Sequence, residues 1–228
     1  MSGHLKRYAA PKSWFLLRKM YKWVTRPAPG PHPLMQAVPI ALLLKKLGLA
    51  RTKREIKKIL NAGFVLVDGR RIANPHFPVG FMDVLEIKQA AQTLRVVIDR
   101  KGKLQLLTIP TEEAGKKVCK ITGKTTVKKG KTQLNLFDGR NLLIDKNGLA
   151  VGDSVLITIP KMKIIEPLKL EKGFTIYLVG GKHIGDIGVV AEIKGNTIWY
   201  QNEKKRRLET LKKFAFVVGK EKPSIKIK

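Results

Sequence analysis

The sequence has a single cysteine, Cys119, among 228 residues. That excludes an internal disulfide and any zinc site built from several thiolates. Acidic residues are scarce: 17 Asp and Glu stand against 46 Lys and Arg, for a formal charge of +29. Long apolar runs are missing too. The longest uncharged one, Val38 to Leu44, falls far short of the roughly 20 residues a membrane-spanning helix needs. Arg18 and Lys19 interrupt the apolar stretch that starts at Trp14, so no secretory signal is expected. Hydrophobic residues nevertheless make up 43% of the chain, a share typical of folded domains. What is left is a folded protein under a strong positive field, which draws RNA, DNA or anionic membrane surfaces.

Catalytic groups are equally sparse. His4, His32, His76 and His183 show no ligand spacing with one another or with Cys119, so no metal site is expected. Glu112 and Glu113 form the one adjacent acidic pair, and neighbouring side chains diverge rather than share a substrate. Gly-Lys-Thr occurs at Gly123 and Gly130. A phosphate-binding loop would require a further glycine five residues earlier, where Val118 and Thr125 stand. No catalytic residue, cofactor or small-molecule substrate is expected.

The positive charge is spread over the chain. Residues 1–54 hold twelve basic residues and no acid, residues 55–171 carry a net +9, and residues 172–228 a net +8. A membrane-binding patch concentrates charge, whereas a protein enclosed by nucleic acid spreads it, so no membrane partner is expected. Ser13 is placed to cap a helix running to Val24, with Arg18, Lys19 and Lys22 on one arc. Four prolines between Pro27 and Pro33 make a stiff connector. Pro39 opens a second helix that stops at Gly48. Thr52 and Glu55 form a capping box for a third, with Ile56, Ile59 and Leu60 on one face and lysines and arginines on the other. Asp68-Gly69 between apolar runs marks a hairpin. From Leu94 onward, short β-branched runs separated by turn residues suggest antiparallel barrels or sandwiches.

The stretch RTKREIKKILNAGFVLVDGRRIANP, Arg51 to Pro75, resembles the small RNA-binding module of bacterial ribosomal protein four, several pseudouridine synthases and tyrosyl-tRNA synthetases. FTIYLVGGKHIGDIGVVAEI, from Phe174 to Ile193, resembles the KOW motif of ribosomal proteins and transcription elongation factors. Ile184 stands where that motif often has Lys. With HLKRYAAPKSW, PAPGPHP and PVGFMDVLEI in order, the chain resembles the archaeal and eukaryotic (e-type) family of small-subunit ribosomal protein four.

The resemblance implies a non-catalytic structural constituent of the small ribosomal subunit, cytoplasmic and located in the ribosome. Its implied partners are small-subunit ribosomal RNA and neighbouring ribosomal proteins. The alternatives are a subunit of an RNA-modifying enzyme, or a transiently bound translation or transcription factor. The expected fold class is α+β and multidomain. It comprises a basic extension (1–38) with one helix, an α-rich RNA-binding module (39–92), a central antiparallel β domain (93–172), and a small KOW-type, SH3-like β-barrel with a basic tail (173–228).

Charge and geometry nominate the RNA-facing residues. They are Lys6, Arg7, Lys12, Arg18, Lys19, Lys22 and Arg26 in the N-terminal quarter; Arg51, Lys53, Arg54, Lys57 and Lys58 on the third helix; Arg70 and Arg71 at the hairpin tip; and Lys182 and His183 in the C-terminal loop.

Overall fold

The computed structural model describes residues 4–127, 130–145 and 148–227. The chain divides into two compact units, Met1–Val97 with Lys103–Ala114, and Ile98–Gly102 with Gly115–Lys228.

In the first unit β1 (His4–Lys6) pairs antiparallel with β2 (Trp23–Thr25). β3 (Ala37–Pro39) leads into α1 (Ile40–Lys46), which ends ahead of Gly48 at φ +74°. α2 (Lys53–Asn61) follows and packs on α1. Then come β4 (Val65–Val67), β5 (Arg70–Arg71), β6 (Pro78–Gly80), β7 (Val84–Ile87), β8 (Gln92–Ile98) and β9 (Leu104–Thr108). β3 pairs with β6, and the others form a sheet in the order β5-β4-β7-β8-β9. His32, deep in the proline connector, is fixed by Asp83, whose carboxylate oxygens lie 2.9 and 3.0 Å from its Nε2. A Cβ on Gly80 would sit 2.4 Å from the His32 ring, so only glycine lets the connector close.

The expected α+β class, with its α-rich N-terminal module, is corrected by this arrangement to a mainly β, multidomain one. α1 and α2 are the only α-helices among the described residues, and both units are mainly β. The helix expected from Ser13 to Val24 does not form. The Ser13 hydroxyl donates to the Met35 carbonyl at 3.0 Å instead of capping. The Arg18 guanidinium donates to the carbonyls of Tyr8 and Ala10, and Arg7 Nε to that of Leu17, so side chains brace an irregular loop. A helix of this length needs a buried apolar face to hold it. Here Trp14 is buried, its indole N–H donating to the Ala37 carbonyl at 2.7 Å, while Leu17, Met20, Tyr21 and Trp23 are exposed.

In the second unit, β10 (Lys116–Thr126), β11 (Thr132–Leu136), β12 (Asn141–Ile144), β13 (Ser154–Thr158) and β14 (Ile164–Leu168) form a sheet in the order β12-β11-β10-β13-β14. Cys119, Ile121, Leu134, Leu136, Val155 and Ile157 are its core, which places Cys119 as a small apolar residue. Lys117 Nζ is buried 3.1 Å from the buried Asp138 carboxylate. The C-terminal part is an antiparallel sheet of β15 (Thr175–Leu178), β16 (Ile187–Lys194), β17 (Thr197–Asn202), β18 (Arg207–Leu211) and β19 (Ala215–Gly219), in the order β18-β17-β16-β15-β19. Lys120 Nζ donates to the carbonyls of Lys212, Lys213 and Ala215 at 2.6–3.3 Å, tying β10 to the turn before β19.

Candidate nucleic-acid interface

α2 begins at the capping box the sequence specifies. The Glu55 N–H donates to Thr52 Oγ1 at 3.2 Å, and the Glu55 carboxylate accepts the Arg51 N–H at 2.8 Å and the Thr52 hydroxyl at 2.9 Å. The Arg51 amide, then the Thr52 hydroxyl and amide, hold the Glu55 carboxyl below its ordinary value. Its contribution to the cap is therefore present above the unfolded carboxylate range and is lost as pH falls through the lowered folded value. The one acid on the helix is thus consumed by the cap. Ile56 and Leu60 are buried, while Arg51, Lys53, Arg54, Lys57 and Lys58 are exposed. Among the described residues none of these five forms an ion pair with a carboxylate. Lys53, Arg54, Lys57 and Lys58 on so short an element, with Arg51 just ahead of its cap and near the Glu55 carboxylate, repel one another, and a polyanion relieves that repulsion.

The hairpin after α2 turns at Asp68 and Gly69, with φ of +50° and +70°. Asp68 is buried, and its carboxylate accepts the Val84 N–H at 2.9 Å, which anchors the tip. Arg70 is exposed. Arg71 differs, because its guanidinium donates to the Asn61 carbonyl at the end of α2. A cation there satisfies a free helix carbonyl and complements the dipole. Arg71 therefore joins the hairpin to the helix.

Of the N-terminal candidates, Lys6, Lys12, Lys19 and Lys22 are exposed, and Arg7, Arg18 and Arg26 are half-buried. Arg7 and Arg18 brace the loop as described, so the candidates do not form one helical face. Arg7 and Lys22 instead line a groove of about 1390 Å³ with Arg26, Lys45, Lys46, Arg51 and Lys53. Lys45 and Lys46 escaped the sequence reading because they end α1, where they read as helix-terminal cations. Burial lowers the Lys46 ammonium from its ordinary value, and its Nζ lies 4.0 Å from the centre of the Phe15 ring.

In the C-terminal loop Lys182 is exposed and His183 half-buried. The rest of the loop is engaged within its own unit. A Cβ on Gly185 would lie 2.6 Å from the Arg100 backbone nitrogen, so this glycine permits a close backbone approach. Ile184 reaches toward Gly102, where an added Cβ would lie 3.5 Å from its Cδ1. Arg100 is paired with Asp186 at 3.2 Å and Glu203 at 3.7 Å.

Three family models match: the RS4NT (NUC023) domain over residues 1–35, the S4 domain over residues 38–85, and Ribosomal family S4e over residues 90–164. The small ribosomal subunit protein eS4 of Methanosphaera stadtmanae is 44% identical over 98% of this chain and 95% of that protein. Its namesake from Methanocaldococcus jannaschii is 41% identical over 98% of this chain and 97% of its own length. The chain belongs to the ribosomal S4e family. A crystal structure of the 30S ribosomal protein S4e from Thermoplasma acidophilum superposes with a TM-score of 0.71 at 32% identity, covering 81% of this chain and 96% of that one. In this S4e-family chain, α2 and the Asp68-Gly69 hairpin fall inside the S4-domain match. The aromatic and basic loop before β2 falls inside the RS4NT match.

Proposed function

We propose that this chain is a non-catalytic structural constituent of the small ribosomal subunit, which binds and braces the ribosomal RNA of that subunit. The observation that carries the reading is the outer face of α2 and its approach: Lys53, Arg54, Lys57 and Lys58, with Arg51 just ahead of the cap, are exposed and form no ion pair among the described residues, in a chain whose relatives are named small ribosomal subunit proteins. Such a face contacts phosphates, positioning the protein by backbone and shape rather than by base sequence. The N-terminal basic residues and Lys182 and His183 of the KOW-type loop add secondary contacts, and neighbouring ribosomal proteins are further partners. The division at residues 38, 92 and 172 is the modular plan that this reading assigns, and the cytoplasmic ribosome is the location.

Alanine at Arg51, Lys53, Arg54, Lys57 and Lys58 should weaken RNA binding regardless of base sequence. It should also make the slope of log K against log salt shallower by about 0.7 to 0.9 for each phosphate left without its cation. Stability should change by less than about 0.5 kcal/mol per site, because the side chains are exposed. Salt titrations beside melting curves check both parts. An unchanged slope with an intact fold would mean that this face is merely solvated.

A further inference from the structure

The groove of the first unit combines two features that a solvated surface does not need. Seven of its lining residues are Lys or Arg and, among the described residues, no Asp or Glu lines it. It also carries three aromatic rings, Phe15, Tyr21 and Trp23. Two of these are spread to water: Tyr21 is 66% and Trp23 48% exposed, whereas Trp14, ten residues or fewer from both, is 3% exposed with its indole N–H satisfied. Each ring has a cation over it. Lys46 Nζ lies 4.0 Å from the Phe15 centroid, Lys22 Nζ 5.3 Å from that of Trp23, and Arg7 Cζ 5.5 Å from that of Tyr21.

We propose that this groove holds unpaired nucleotides of RNA, their bases stacked on Trp23 and Tyr21 and their phosphates met by the surrounding cations. The inference deepens the ribosomal RNA reading by naming a second kind of RNA element at a second site. At about 1390 Å³ the groove exceeds the roughly 300–1,000 Å³ typical of a small-molecule site, so it has room for a chain of several units. The absence of acid on its walls favours a ligand with one negative charge per unit over an apolar peptide, which would leave seven cations crowded and uncompensated. Arg51 and Lys53 line the groove and also stand at the start of the α2 basic face, so the two surfaces are continuous.

The rings separate single strands from duplex. In an A-form helix the bases are stacked on one another and are not available to a side chain, whereas unpaired bases are splayed out and stack on aromatic faces. The cations over the rings supply the exchange. Lys22 leaves the Trp23 ring for a phosphate as a base takes its place, so no charge is left unpaired and no face is left to water. Phe15 stays covered by the partly buried Lys46 and forms the floor.

The test uses the full chain with two probes, an unpaired hexauridine and a three-base-pair RNA hairpin closed by a stable tetraloop whose loop bases are structured, each variant being compared with the parent chain on the same probe. Affinities are measured by fluorescence anisotropy at several salt concentrations. Trp23→Leu should weaken hexauridine binding by about 5- to 150-fold, the range that removal of one base-stacking platform produces. The salt slope should stay unchanged, because no cation is removed. Hairpin affinity should hold within about twofold. Tyr21→Leu, at a more exposed position, should act in the same direction, and Trp23→Phe should restore most of the affinity. Melting curves identify any variant that is unfolded, in which case the Tyr21→Leu result decides. Equal loss on both probes, or no loss on either, overturns the proposal. Full hexauridine affinity combined with loss of the protein from small subunits overturns it as well, and assigns the groove to a protein neighbour. Arg54→Ala on the hairpin probe is read in parallel. If it still makes the slope shallower, the α2 reading stands although the groove fails.

Discussion

Lys117→Met should destabilise the second unit by about 3 to 5 kcal/mol, the usual cost of removing one partner from a buried ion pair. Neither Lys117 nor Asp138 has meaningful access to water, and their charged atoms are 3.1 Å apart. Taking the ammonium away leaves a carboxylate inside a low-dielectric sheet core. Arg140 Nε, 3.4 Å from the same carboxylate oxygen, offers partial compensation, which places the expected loss toward the lower end. Lys117 sits on β10 opposite Ile157 of β13, so the damage should appear first as faster amide exchange along that pairing. Lys117→Met with Asp138→Leu should recover most of the loss, because a well-packed apolar pair replaces a buried ionic one at little net cost. A single variant as stable as the parent would show that the pair contributes nothing.

Leu60→Ala should cost about 2 to 5 kcal/mol of the first unit's stability. Leu60 is fully buried on the inner face of α2, one turn after Ile56, which is buried as well. The truncation leaves a cavity that α1 and α2 can close only partly, since both are short and fixed at their ends by the Thr52 cap and by Gly48. RNA binding should follow a different pattern from that of the outer-face variants. At temperatures where Leu60→Ala remains folded, its salt slope should equal the parent's, because every cation is retained. A slope change at full folding would mean that the helix face is positioned by this side chain. Denaturant unfolding and salt titration of the same sample separate the two effects.

The parts of the fold that were legible in the sequence are those written in local chemistry. The Thr52–Glu55 box, the Asp68-Gly69 turn and the Gly48 stop each specify a backbone conformation from two or three residues, and all three form as read. The central strands were legible because β-branched runs alternate with turn residues. β14 does not show in such runs because Pro167 interrupts it, and it forms at the sheet edge, where a missing N–H costs no ladder bond. In β18 Arg207 and Glu209 break the apolar pattern, and it too is an edge strand.

The failed helix from Ser13 to Val24 is the opposite case. Its period was plausible, but Trp14 faces the core while Leu17, Met20, Tyr21 and Trp23 do not, and only tertiary structure decides that. The same error hid part of the candidate site. As a helix, Leu17, Tyr21 and Trp23 would not line a groove with Lys45 and Lys46, as they do in the structure. The α2 face survived, because exposure of a basic helical stripe follows from its own periodicity.

The central claim is permanent residence on ribosomal RNA of the small subunit. Its most direct test is sedimentation of native lysate through a high-salt sucrose cushion, with the chain followed immunologically in pellet and supernatant. A structural constituent held through several basic surfaces should pellet with the small subunit at salt concentrations that strip transient factors. Release at modest salt, with the subunit otherwise intact, would contradict the account and identify the chain as a factor that visits the ribosome.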